Sequence, residues 1–406
     1  MDMREDRLPQ HRQHEASTSW RKYIVRLHIR PSRLLVFLIS ALSLYLLLFR
    51  NGSAIDQQPG KAPVNSAGQD GLNTPGTAIH HEPTLEPKII NGMDYSRFAY
   101  VQYATSTHYL CNAVLMFEAL HRYNSSASRL LLYSDEWDPR IAPYMHKSVF
   151  SWLFRSPPPV PVGLVGDSYE RRMLLHARDQ YNVILKPVSV LHRSGEWTWA
   201  ASFTKLLAFN QTQFARVISL DSDATLLQHM DELFLRPSAG VIAPKAYWLE
   251  DQQVMSSQVM LIEPSQDKWD RIMTRIDKRK EEEFDMEIVN AVFGKEASIL
   301  EHRRYDLLSG EFRKENHGAY LAGSSSSKEA WDANEILKEA KYVHFSDWPL
   351  KKPWFYQGEA KEKYREHQPN CTELAEGGRD CTNRNVWLSL YENFLDRRTN
   401  ICGKLQ

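Results

Sequence analysis

From Arg97 onward, short apolar runs alternate with longer stretches in which apolar residues recur every three or four positions. Arg97 to Ala104 (RFAYVQYA) predicts a strand. The segment after it sets Leu110, Ala113, Val114, Phe117 and Leu120 on one face of a helix. Arg129 to Tyr133 predicts a second strand, Asn182 to Leu185 a third, and Phe203 to Phe209 a helix. The β-branched run Val217-Ile218-Ser219-Leu220 predicts a fourth strand ending at Asp221, and Gly240 to Ala243 and Gln258 to Ile262 add two more. This alternation implies an α/β fold, a mostly parallel sheet with helices on both faces. Pro157 to Pro161 reads as a surface loop, and Lys278 to Glu283 as a helix-compatible, solvated charge run.

The N-terminal pattern is different. Leu34 to Phe49 is an uncharged, Leu-rich run closed by Arg50, and residues 1–33 carry eight Lys or Arg against four acidic residues. Sixteen helical residues span about 24 Å, enough for a thin bilayer. A cleaved signal peptide competes with a signal-anchor here. The long basic extension and the lack of a prompt small-x-small site favour the anchor. The positive-inside bias then gives a cytosolic tail (1–33), a transmembrane signal-anchor (34–49) and a luminal remainder. Residues 50–88, rich in Gly, Pro, Ser, Thr, Asn and Gln, read as a disordered stem, and 89–406 as one folded domain.

Charge is balanced, 50 Lys+Arg against 50 Asp+Glu in 406 residues, so no overall field points to nucleic acid. Sequons at Asn124, Asn210 and Asn370 are glycosylation candidates in a luminal body. Of four Cys, three (Cys371, Cys381 and Cys402) cluster near the C-terminus, which predicts one disulfide of open pairing. No Cys/His spacing resembles a zinc site.

The candidate chemistry begins at Asp221-Ser222-Asp223. Carboxylates two residues apart beyond a buried strand can turn onto one hard cation, Mn²⁺ or Mg²⁺, and ligands favour the carboxyl ends of strands in α/β sheets. A solvated loop explains most isolated Asp-x-Asp triplets. The residues around this one change the balance: Thr105-Ser106-Thr107-His108-Tyr109 after the first strand, Phe203-Thr204-Lys205-Leu206, Asp285-Met286, and His344-Phe345-Ser346-Asp347 followed by Lys352-Pro353-Trp354.

In this order these segments resemble glycosyltransferase family eight, retaining, metal-dependent enzymes that use nucleotide sugars. The resemblance implies a single GT-A type domain that binds a UDP-sugar. It implies metal ligation by Asp221, Asp223 and His344, and donor contacts from Thr105, Tyr109, Lys205, Ser222 and Lys352. Asp285 and Lys352 take the catalytic roles, with Lys352 on the β-phosphate, while Lys205 pairs with phosphate or orders the aspartates. Trp197 to Lys205 and the tail Trp387-Leu388-Ser389-Leu390-Tyr391…Cys402-Gly403 resemble more closely a fungal Golgi branch of N-acetylglucosaminyltransferases. That branch implies UDP-N-acetylglucosamine as donor, a mannose-containing glycan as acceptor, and Golgi membrane residence. Three departures stand out: Asp347 where the signature has glycine, Ser256-Ser257-Gln258 for an Asn-Ser-Gly turn, and Met286 for glutamine. They leave open a UDP-glucose or UDP-galactose enzyme, and a catalytically silent, membrane-tethered sugar-binding protein.

Overall fold

The computed structural model describes residues 86–137, 168–189, 202–249, 253–280, 283–322, 329–355 and 359–405. The expected tail, signal-anchor and nearly all of the stem lie outside these residues, as do the Pro157 to Pro161 loop and residues 197–201. Among the described residues no helix is long and apolar enough to cross a membrane.

Among the described residues the central sheet has seven strands: β1 (Phe98–Ala104), β2 (Ser128–Ser134), β3 (Val183–Val188), β4 (Arg216–Leu220), β6 (Val241–Pro244), β7 (Val259–Ile262) and β8 (Ser298–Leu300). A short strand β5 (Ala224–Leu226) leaves that sheet and belongs to a second. The large sheet runs in the order β8-β6-β7-β4-β1-β2-β3. Only β7 is antiparallel to its neighbours. The mostly parallel α/β sheet expected from the alternation is therefore present.

Both faces are covered, which explains why the strands read as continuous apolar runs rather than alternating ones. Tyr100, Leu131, Ile218 and Leu220 share one core cluster with α1 (Thr107–Arg122), which packs on the sheet, and with the C-terminal helix α5 (Thr382–Ile401), which packs on α1. Ala99, Val101, Leu130 and Val217 face the other side, against Phe203, Leu206, Phe209, α3 (Gln266–Asp277) and α4 (Asp285–Phe293). Helix α2 (Tyr169–Tyr181) precedes β3 and ends on Asn182 in the left-handed region (φ 53°), where a short polar side chain is tolerated.

The structure revises several details. The helix expected at Phe203 to Phe209 is present and takes the 3₁₀ form over Ser202–Asn210. Phe203, Leu206 and Phe209 recur every third residue and all enter the same core, a spacing that three residues per turn satisfies. Helix α3 stops at Asp277, so the charge run does not continue it through Lys280. Glu283 instead folds back, pairing with Arg275 and accepting from the Lys280 N–H at 2.6 Å. Cys371 pairs with Cys381, and Cys402 pairs with Cys111 across the fold, so there are two disulfides where one was expected.

A second sheet of three strands joins β5, β9 (Leu307–Leu308) and β10 (Tyr342–His344) in the order β9-β10-β5. None of these strands follows from the hydrophobic pattern, because each is three residues or shorter. Their register nevertheless decides where the site forms.

Candidate active site

Strand β4 ends at Leu220, and the Asp221 N–H donates to the Gln258 carbonyl at 2.9 Å, the last bond to the large sheet. Asp221-Ser222-Asp223 then carries the chain across to the small sheet. There β5 pairs antiparallel with β10, with Ala224 opposite His344. One step further, the Phe345 N–H donates to the Asp223 carbonyl at 3.0 Å. The backbone thus brings a histidine from late in the chain onto the aspartate pair. His344 Nε2 lies 3.2 Å from Asp223 Oδ1, and one ligand atom from each of Asp221, Asp223 and His344 falls within 4.8 Å of the others.

Two lysines complete the charge pattern. Lys205 is buried, and its ammonium lies 2.8 Å from Asp221 Oδ1, 2.6 Å from Asp285 Oδ2 and 3.1 Å from the Ser257 carbonyl. An ammonium has three protons to donate, and these acceptors engage them. Of the two roles expected for Lys205, the structure displays the ordering of the aspartates. Asp285 is fixed further by the Ser257 hydroxyl at 2.6 Å. Lys352 is more accessible; its Nζ sits 2.7 Å from Asp223 Oδ2 and 2.5 Å from the Phe345 carbonyl.

These contacts divide the two aspartates electrostatically. Burial pushes the Asp221 carboxyl up to about 6, opposed by Lys205 and reinforced by Asp223 and Asp285. Burial also acts to raise Asp223, but Lys352 and His344 overcome it and hold that carboxyl well below the usual range.

The residues fit a divalent cation. Two carboxylates and an imidazole form a hard oxygen and nitrogen donor set. His344 Nδ1 is buried with no hydrogen-bond partner among the described residues. Three carboxylates against two ammonium groups leave an excess of negative charge for a cation to neutralise.

No protein-family model matches the chain. It is 44% identical over 315 residues to the Glucose N-acetyltransferase 1 of Gibberella zeae, covering 76% of this chain and 63% of that protein. It is 40% identical over 337 residues to the Glucose N-acetyltransferase 1 of Aspergillus fumigatus, covering 78% of this chain and 79% of that protein. The chain belongs to the glucose N-acetyltransferase 1 family. It thus spans slightly less than two thirds of the Gibberella relative's length and about four fifths of the Aspergillus one's. Among solved structures, the WbbM bifunctional glycosyltransferase aligns with a TM-score of 0.45 at 12% identity, over 77% of this chain and 51% of that one.

The remaining sequence candidates of this family member fall at different distances from the carboxylates. Thr105 follows the end of β1, and Ser106 caps α1, accepting from the Tyr109 N–H at 3.5 Å. The Tyr109 ring meets Trp354 edge-on at 5.5 Å, and burial, then Asp223 and Asp221, raise its phenol. That places Tyr109 and the Lys-Pro-Trp turn on one wall of the site. Ser222 is buried between the two aspartates. Asn124 and Asn370 are exposed and Asn210 is half-buried.

Sequence reasoning missed Tyr103. Burial, then Asp221 and Asp285, push its phenol well above its ordinary value. The available signal was its place one residue before the carboxyl end of β1, where ligand-facing residues of such sheets sit. Asp306 was also missed. It is fully buried beside this charge cluster, and burial raises it to about 8. Nothing in its local sequence marks it.

Proposed function

We propose that the protein is a metal-dependent glycosyltransferase that moves N-acetylglucosamine from UDP-N-acetylglucosamine to a mannose-containing glycan. In this reading it works as a single-pass Golgi membrane protein with its catalytic domain in the lumen. The observation that carries the reaction class is the convergence of Asp221, Asp223 and His344 beside Lys352. The name of these relatives joins glucose with an N-acetyl group, a pairing that this donor supplies. The basic tail and apolar run of residues 1–49 support the membrane placement.

The departing nucleoside diphosphate gains negative charge as the glycosidic bond breaks. Asp221, Asp223 and His344 would hold Mn²⁺, or Mg²⁺, which supplies Lewis-acid neutralisation of that charge. Lys352, at 2.7 Å from Asp223 Oδ2, would add a point charge for the β-phosphate. Lys205 keeps Asp221 and Asp285 in place without being consumed in the reaction. Asp285, pinned by Lys205 and Ser257, is set to orient sugar hydroxyls near the anomeric carbon. Tyr109 and Thr105 line the nucleoside end.

The test is a donor panel (UDP-N-acetylglucosamine, UDP-glucose and UDP-galactose) with a mannoside acceptor, with Mn²⁺ and with chelator. Transfer from the first donor that disappears on chelation is the expected result. Full transfer in chelator removes the metal assignment, and a preference for another donor removes the sugar assignment. UDP binding with no transfer from any donor would leave a sugar-binding protein.

A further inference from the structure

The loop that carries Lys352 leaves β10 at His344 and reaches the Lys-Pro-Trp turn through Asp347, the position where the glycosyltransferase signature has glycine. The structure gives this carboxylate a definite task. Its side chain is 1% exposed. Oδ1 accepts from Trp387 Nε1 at 2.9 Å, and Oδ2 accepts from the Tyr391 hydroxyl at 2.6 Å and from the Ser309 hydroxyl. The Arg313 guanidinium lies 3.6 Å from Oδ1 and also donates to the carbonyls of Asp347 and Trp348, each at 3.2 Å. Trp387 and Tyr391 lie one turn apart on α5, so a single side chain ties the loop to the C-terminal helix and to the segment after β9.

Neighbouring contacts point the same way. The Ser346 N–H donates to Ser309 Oγ at 3.1 Å, and Gly310 packs so closely that a Cβ there would lie 2.5 Å from the Ser346 carbonyl oxygen. Phe345 packs edge-on against Tyr391 and Phe394 of α5 at 5.0 and 4.8 Å. The Leu350 N–H donates to the Asp347 carbonyl at 2.7 Å, which closes the turn that delivers Lys352 to Asp223. A buried carboxylate left without donors is costly; here donors from α5, Ser309 and Arg313 surround it. A glycine at this position would give the loop more freedom and no attachment to α5.

We propose that Asp347 is a positioning residue: it fastens the Lys352 loop to the C-terminal helix and so places the ammonium that receives the β-phosphate. This deepens the transferase reading and rests on it. Asp347 touches no reacting atom, and its effect passes through Lys352. It should therefore matter for ligands that carry a β-phosphate and not for those that lack one.

The experiment measures binding of UDP and of UMP by calorimetry in Mn²⁺, to the full protein and to Asp347→Asn, Tyr391→Phe, Lys352→Met and the Asp347→Asn/Lys352→Met double variant. Asp347→Asn should weaken UDP about tenfold and leave UMP within twofold, with Tyr391→Phe weakening UDP about threefold. Losing Lys352 should remove the same preference, and adding Asp347→Asn to it should cost nothing more, because the two residues act in series. Equal weakening of UDP and UMP, or losses that multiply in the double variant, would overturn the proposal. If Asp347→Asn does not fold, Tyr391→Phe decides, since it removes one donor and no charge; an unchanged UDP-to-UMP ratio there counts against the proposal. Wild-type protein that binds UDP no better than UMP would instead reject the transferase reading beneath it.

Discussion

Replacing Lys205 with Met removes a buried cation while keeping most of the side chain's length. Its nitrogen sits 2.8 Å from one carboxylate and 2.6 Å from another, with the side chain 2% exposed. At an effective dielectric of about 20 each contact is worth roughly 6 kcal/mol before desolvation is subtracted. Most of that is offset by the cost of burying the ammonium, and removing one partner of such a pair usually costs about 3–5 kcal/mol. For a domain of this size the loss should lower the melting temperature by roughly 10 °C. Urea unfolding with both disulfides intact gives the free energy directly. Asp285→Asn in the Lys205→Met background removes one of the stranded charges and should recover about 2 kcal/mol. Two substitutions that add within about 0.5 kcal/mol would show that the lysine does not bridge these carboxylates.

Asp223→Ala should abolish Mn²⁺-dependent transfer while shifting the melting temperature by only a few degrees; retained turnover would remove this residue from the site. The Asp221 carboxyl is raised by burial to about 6 in the folded protein, so the fold keeps a proton there that the unfolded chain has lost above pH 4. Without metal, its stabilising contribution is complete below pH 4 and fades as pH rises through 6, by up to about 3 kcal/mol. Mn²⁺ needs the ionised carboxylate, so its affinity should climb to about pH 6 and then level off; equal affinities at pH 5 and 7 would contradict this. Cys371→Ser opens a link over a separation of 10 residues and Cys111→Ser one over 291. Chain entropy predicts losses of about 3 and about 6 kcal/mol, and equal midpoints in urea would argue against that account.

Much of the site was legible because its parts sit where a strand ends. The apolar run before Asp221 locates β4, and the parallel alternation around it places that strand's carboxyl end at a ligand-binding edge. The pairing of His344 with Asp223 is another matter. It rests on β5 and β10, three residues each, too short for any period to register. Only the resemblance linked them before the structure did. The Phe203 to Phe209 segment shows a different limit. Its apolar residues recur every third position, which fits the tail of an α-helical pattern as well as a 3₁₀ turn, and core packing decides between them. Cys402 was grouped with its near neighbours in sequence, yet the fold returns the last helix to α1 and pairs it with Cys111.

The antiparallel match of Ala224 with His344 also restricts how this region can change in length. Side chains along a strand alternate between faces, so a single-residue insertion or deletion within Tyr342–His344 would turn the imidazole to the opposite face. Length changes there are tolerable in twos or not at all. Homologous chains should therefore keep the parity of the residue count that leads up to the histidine.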